Sequence, residues 1–355
     1  MELQLQQVRH HQPHPYTPFA IVPITHREIE VIEAEEIKER KEPLHVLQPP
    51  KKPFIEANTK EVSMTHLKKD CIVPVFSKDN EVTISHNSFI ESTWECVSQI
   101  FRNETILEPD IRVSHVIKGR TPEAIHKPVK DLNDSDKTIY YERMMFCMEI
   151  PSITEDICGN RLNLTVGGIR AYNHENLYSK KGMEKFKVFI GFKNMVCCNM
   201  CVFTDGLKDE IKVTNTSDLM AKVIELITSY NAKKHLDLMG SFQNYSLTES
   251  QFAQFLGKSR LYQCLPMEQK KLLPSFLMTD TQINLVARSY YHDEDFGVSK
   301  AGAELSMWNL YNLLTSANKS SYIDNFSERA LNATHISDGI TKALDGETRY
   351  DWFIR

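Results

Sequence analysis

The most suggestive chemistry in this chain lies between Arg161 and Lys193. Seven basic side chains, Arg161, Arg170, Lys180, Lys181, Lys185, Lys187 and Lys193, stand there against only Glu175 and Glu184. Tyr172, Tyr178, Phe186, Phe189 and Phe192 are interleaved with them. Lys and Arg follow phosphates while rings stack on bases, so a strand surface of this composition predicts contact with single-stranded nucleic acid. The whole chain has a net charge of −5. That excludes a globally basic, histone-like protein and leaves a local basic face as the route to a polyanion. The same residues also suit a solvated strand face backed by ordinary core aromatics.

Other spacings invite chemistry less well. Cys197-Cys198-Asn199-Met200-Cys201 contains a Cys-x-x-Cys pair, which as thiolates could ligate zinc or exchange disulfides. A zinc site needs two more ligands, and no second such pair follows. The run also reads as strand, so buried thiols packed as small apolar groups are expected. His292-Asp293-Glu294-Asp295 gathers hard-metal ligands of the kind a nuclease uses to hold Mg²⁺. Consecutive residues seldom converge on one ion, and a solvated acidic loop is expected instead. Gly257-Lys258-Ser259 resembles the end of a phosphate loop, but Phe252 stands where that loop needs its first glycine. A Ser/His/Asp or Cys/His set is recognised by geometry and cannot be assembled from sequence alone. No catalytic residue, metal or cofactor is therefore expected, and an enzymatic role is not favoured.

The elements that must position these residues follow from periodicity. The chain has 355 residues, 41% hydrophobic and 25% charged, enough apolar material for a real core. Residues 1–55 read as a flexible arm: they hold eight of the fifteen prolines, an acidic run from Glu28 to Glu42, and His10, His11 and His14. Residues 56–216 read as an α+β sheet domain. A hairpin is expected over 71–84 and a helix capped by Ser85, then strands near Ile111–Ile117, Ile139–Ile150, Leu162–Tyr172, Phe186–Phe192 and Met195–Phe203. Gly167-Gly168 suggests a bulge or tight bend. From Ser217 the apolar period changes from two to about 3.6, so 217–355 reads as a mostly helical region packed on the sheet. The fold class is thus α+β, an antiparallel sheet with helices followed by helices alone. No apolar run approaches the ~20 residues of a membrane span, and no signal core is evident. A cytoplasmic protein without membrane contact is expected, its eight cysteines present as thiols.

Two segments carry a family resemblance. One is Val196-Cys197-Cys198-Asn199-Met200, and the other is Trp308-Asn309-Leu310-Tyr311-Asn312-Leu313-Leu314-Thr315. In that order they resemble the uncharacterised phage/plasmid-like proteins of bacterial mobile elements. The continuation from Ala317 to Asp324 is similar to a branch found on conjugative and integrative elements of Bacteroidetes. The resemblance covers about residues 56–355 and marks Cys198, Asn199, Trp308, Tyr311, Asn312 and Thr315 as motif residues. It brings no catalytic residues, because that family has no settled reaction. What it implies is a cytosolic bacterial protein travelling with mobile DNA.

Trp308, Tyr311, Asn312 and Thr315 also fall on one helical stripe beside the apolar stripe of Met307, Leu310 and Leu314. Asn312 and Thr315 are then buried polar groups that pin the helical region to the sheet, or that face a ligand. The function expected from sequence is a mobile-element accessory protein binding single-stranded DNA during transfer or recombination. The alternative is a module that binds a host or element protein and modulates host defence or element regulation without catalysis.

Overall fold

The alternating runs between residues 110 and 213 form one antiparallel sheet. In the computed structural model, which describes residues 52–72, 83–124, 126–174 and 183–355, six strands lie in chain order. They are β1 (Lys60–Glu61), β2 (Asp110–Arg120), β3 (Lys137–Ile157), β4 (Asn160–Ala171), β5 (Glu184–Asn194) and β6 (Met200–Val213). Between β1 and β2 come α1 (Met64–Lys69) and α2 (His86–Ile100). After the sheet come α3 (Thr216–Ser229), α4 (Ala232–Ser241), α5 (Glu249–Cys264), α6 (Met267–Lys270), α7 (Asp280–His292), α8 (Met307–Asn318) and α9 (Ile323–Leu344). A two-stranded ribbon of β7 (Ser246–Leu247) and β8 (Leu305–Ser306) is set among them. The class is α+β, with helices gathered toward the C-terminus. Nearly all of the arm, most of the hairpin expected over 71–84, and Tyr178, Lys180 and Lys181 lie outside the described residues.

Both faces of the sheet are covered. On one face Met144, Phe146, Met148, Val166, Val188 and Ile190 pack under α2 and α3 through Phe89, Ile90, Leu219 and Val223. On the other, Met145, Cys147, Ile169, Phe189 and Val202 meet Phe54 together with Ile323, Phe326 and Ala330 of α9. The strict alternation along β3 to β5 therefore separates two buried layers rather than a core from solvent. The described residues from 52 to 355 belong to one compact unit.

Several local expectations change. Gly167 and Gly168 sit in continuous, regular ladder, opposite Cys147 and Phe146. They accommodate rings rather than a bend: a Cβ on Gly168 would lie 2.5 Å from the Phe89 ring, and one on Gly167 2.3 Å from that of Phe189. The irregularities fall instead between Ile150 and Thr154 of β3 and at two places along β5. Cys158 and Gly159, with φ of 51° and 76°, form the two-residue turn joining β3 to β4. The expected Met195–Phe203 strand is a turn up to Asn199, where Cys198 has φ 60°. The helix expected from Ser246 is capped by Thr248, whose hydroxyl accepts from the Gln251 amide while Gln251 answers the Thr248 N–H.

Candidate functional site

The basic stretch is not an open face. Arg170, on the sheet face under α2, is fully buried and paired with Glu184. Its guanidinium lies 4.1 Å from the Phe186 ring centre and 4.7 Å from that of Tyr172. Tyr172 is itself buried and stacks on His86, whose Nε2 donates to the Tyr141 carbonyl at 2.8 Å. Burial, and secondarily Arg170, push the His86 imidazole down to about 3. On the opposite face Lys193 is fully buried, 2.6 Å from Glu149. Burial alone would lower Lys193, but Glu149 outweighs it and holds the ammonium above its ordinary range. Lys187 pairs with Asp209 at 3.1 Å and with Glu328 of α9, and Lys185 lies 3.1 Å from Glu210. Phe186, Phe189 and Phe192 are all about 1% exposed. Arg161 is exposed and donates to Thr154 and to the Pro151 carbonyl.

The expectation of an accessible basic and aromatic surface is thus corrected for Arg170, Tyr172, Lys187 and Lys193. Their neutralising carboxylates come from β3, β5, β6 and α9, and the partner of Lys187 on α9 is distant in sequence. Charge counted along the chain could not reveal it.

The motif residues converge at one end of the sheet. Asn194 at the end of β5 donates to the Asn312 side-chain oxygen at 3.1 Å, and Asn199 donates to the Asn312 carbonyl at 2.9 Å. Asn312 returns its own amide to the Trp308 carbonyl at 2.9 Å. The Trp308 indole donates to Asn160, beside the β3–β4 turn, at 2.8 Å. Lys319, just after α8, donates to the Cys197 carbonyl. Both hairpin ends are therefore fastened to α8. Thr315 is spent within its own helix, on the Tyr311 and Asn312 carbonyls. Tyr311 is buried 3.2 Å from Thr334, and Cys198 is buried in the turn. Cys197 and Cys201 are buried free thiols, pushed by burial up to about 11 and about 12.

One Cys/His/Asp set does assemble. His66 Nδ1 lies 2.8 Å from Asp70, and its Nε2 lies 3.0 Å from the Tyr141 hydroxyl and 3.5 Å from Cys71 Sγ. Burial first, then the Asp70 charge, push the Cys71 thiol up to about 11. It remains S–H at neutral pH and is a poor nucleophile. The set links α1 to β3. Among the described residues no group of three or more His, Cys, Asp or Glu side chains is placed to hold a metal ion.

A groove was not foreseen. α1 begins after Ser63, whose hydroxyl accepts from the His66 amide. α2 buries Phe89, Ile90, Thr93 and Val97, and Trp94 flanks that stripe, half-buried. Between α1, α2 and the start of β2 lies a cavity of about 760 Å³. That exceeds a 550 Å³ cleft by Lys69 and Lys118 and one of 290 Å³ by His174 and Lys185. Met64, Ile90, Trp94, Pro109 and Ile111 give it apolar walls. Glu61, Glu91 and Glu108 are its carboxylates and Lys68 its ammonium, tied to Glu91 at 2.5 Å. Glu61 and Glu108 are exposed and have no ion-pair partner among the described residues. Arg112 stands opposite Glu61 in the β1–β2 register without joining it in an ion pair. The sequence signal was present but weak: an indole at the margin of an amphipathic helix, three residues after a glutamate.

A model of the DUF3871 family, described as a domain of unknown function with a B. theta gene description, matches residues 42–354. The chain belongs to that family. No curated protein and no solved structure matches it significantly. No helix among the described residues is long and apolar enough to cross a membrane.

Proposed function

We propose that this DUF3871 chain is a recognition module that holds an extended segment of a partner protein in the groove between α1, α2 and β2. The observation that carries this reading is the groove itself: a half-buried indole in a cavity of about 760 Å³, with two exposed carboxylates that have no ion-pair partner among the described residues. Its volume falls within the range of built binding sites. β1 is the outermost described strand on that side of the sheet, so an extended segment laid there would also find main-chain partners. The resemblance of the Trp308–Asp324 segment supports a cytoplasmic setting on mobile genetic elements, with a host or element protein as the partner.

The test is site-specific crosslinking. A photoreactive phenylalanine analogue placed at position 94 is irradiated in a nuclease-treated lysate. A discrete protein adduct that disappears when the analogue is moved to exposed Gln99 supports the reading. Identical labelling from both positions overturns it. Binding of a labelled single-stranded oligonucleotide, falling steeply with salt from ~50 mM upward, would favour the nucleic-acid reading instead. That reading retains exposed Arg161 and half-buried Lys185 among the described cations.

A further inference from the structure

We infer that the occupant of the groove is a lysine- or arginine-bearing segment, its cationic side chain seated on Trp94 with Glu61 and Glu108 on either hand. This rests on the groove reading above and adds the chemistry of what is bound. The described cations of the β4–β5 stretch are paired with carboxylates or bonded to backbone, and Lys68 in the groove is already tied to Glu91. Glu61 and Glu108 stand apart as exposed carboxylates without such a partner among the described residues, and they line a cavity rather than a convex surface. A neutral apolar segment would satisfy the walls and leave these charges beside a desolvated surface. An acidic segment would add repulsion.

A lysine or arginine matches both features. Its methylene stem covers apolar wall while its charged head meets the carboxylates. The face of an indole attracts a cation within about 6 Å of its centre. Arg112, the nearest cross-strand cation to Glu61, is not part of the lining. It therefore does not occupy the place a partner cation would take.

The probes are blocked tripeptides with a central lysine, arginine, norleucine or glutamate. They are titrated into full-length protein carrying 5-fluorotryptophan, whose three tryptophans give three ¹⁹F signals. The Trp94 signal is assigned by its loss in Trp94→Phe. The expected result is a saturable shift of that signal alone with the lysine and arginine peptides. It should weaken about fivefold or more in Glu61→Gln/Glu108→Gln, and again as salt rises from about 50 mM to about 0.5 M. The Trp308 and Trp352 signals report that the variant is folded. If norleucine shifts Trp94 as well as lysine does, the cationic class is overturned while the groove remains a binding site. If no peptide moves Trp94 at millimolar concentration, and crosslinking from position 94 is also unselective, both inferences fall.

Discussion

Positive charge in the β4–β5 region and negative charge at the α1–α2 groove are treated oppositely by the fold. Arg170, Lys187 and Lys193 are drawn into the interior or its margin, each against a carboxylate. Glu61 and Glu108 remain exposed around a cavity, with no ion-pair partner among the described residues. A buried ion pair is retained because removing either member would strand the other in low dielectric. An exposed, unpaired carboxylate has no such structural hold. The first region is where substitution should damage folding, and the second is where substitution should leave folding alone.

The largest effect should come from Lys193→Met. It leaves Glu149, 4% exposed, without its ammonium, and breaking such a pair costs ~3–5 kcal/mol. Adding Glu149→Leu should restore most of that loss, because an apolar pair of similar volume often matches or exceeds a buried ion pair. Urea unfolding of the two variants measures this directly. A single variant as stable as the parent would mean that Glu149 takes up a proton or finds water cheaply, and the contrast between the two regions would soften.

Next comes Asn312→Leu. It removes the acceptor for Asn194 and the donor to Trp308 O within a buried cluster. Orphaning buried amides costs ~1–3 kcal/mol. Thr315→Val should cost less, since the Thr315 hydroxyl only back-bonds within α8. Equal losses at the two positions would show that packing of α8, rather than its bonds to the hairpin ends, holds that end of the sheet.

How much of this was legible in the sequence depends on the range of the interactions involved. The strands, the change to helical period after 216, and the cap at Ser85 are written in neighbouring residues. The buried, polar stripe of α8 was legible for the same reason. What failed was burial on the far side of each strand. Lys187 and Phe189 alternate with Phe186 and Val188 as they would on a half-solvated sheet. Phe54 from before the sheet and α9, more than a hundred residues later, turn that second face into interior, and α9 supplies Glu328. The paired glycines misled likewise, because the rings that fill their space come from other elements, Phe89 of α2 at Gly168 and Phe189 of β5 at Gly167. The groove joins residues 61–68, 90–94 and 108–111, and no single window of sequence contains it.

Acidification should act on the interior but not on the groove reading. Burial holds His86 and His235 near 3 in the folded chain, against an ordinary value of 6.5. The unfolded chain therefore binds protons that the folded one refuses as pH falls below 6.5. Stability present above that value is lost on the way down toward 3, by up to ~1.4 kcal/mol per pH unit for each histidine. Between about pH 6.5 and 5 most carboxylates are not yet titrating, so the slope of unfolding free energy with pH reports the histidines. His235→Phe should reduce that slope by about half of the share these two contribute. An unchanged slope would indicate that His235 opens to solvent before the chain unfolds.

The smallest effect on folding should come from Glu61→Gln/Glu108→Gln. Neither carboxylate makes an ion pair among the described residues, and both are exposed, so their neutralisation removes no favourable contact. It also relieves repulsion with Glu91 across the groove. The unfolding midpoint should stay where it is, or rise slightly at low salt, where charges separated by less than a Debye length still act on one another. A fall in midpoint would show that these glutamates hold α1 against β2, for instance through Arg112, and would move them from the binding side of the comparison to the structural one. An unchanged midpoint, together with lost peptide binding, separates the two roles. Charges buried in β4 and β5 serve the fold, while charges left unpaired at the groove serve what it receives.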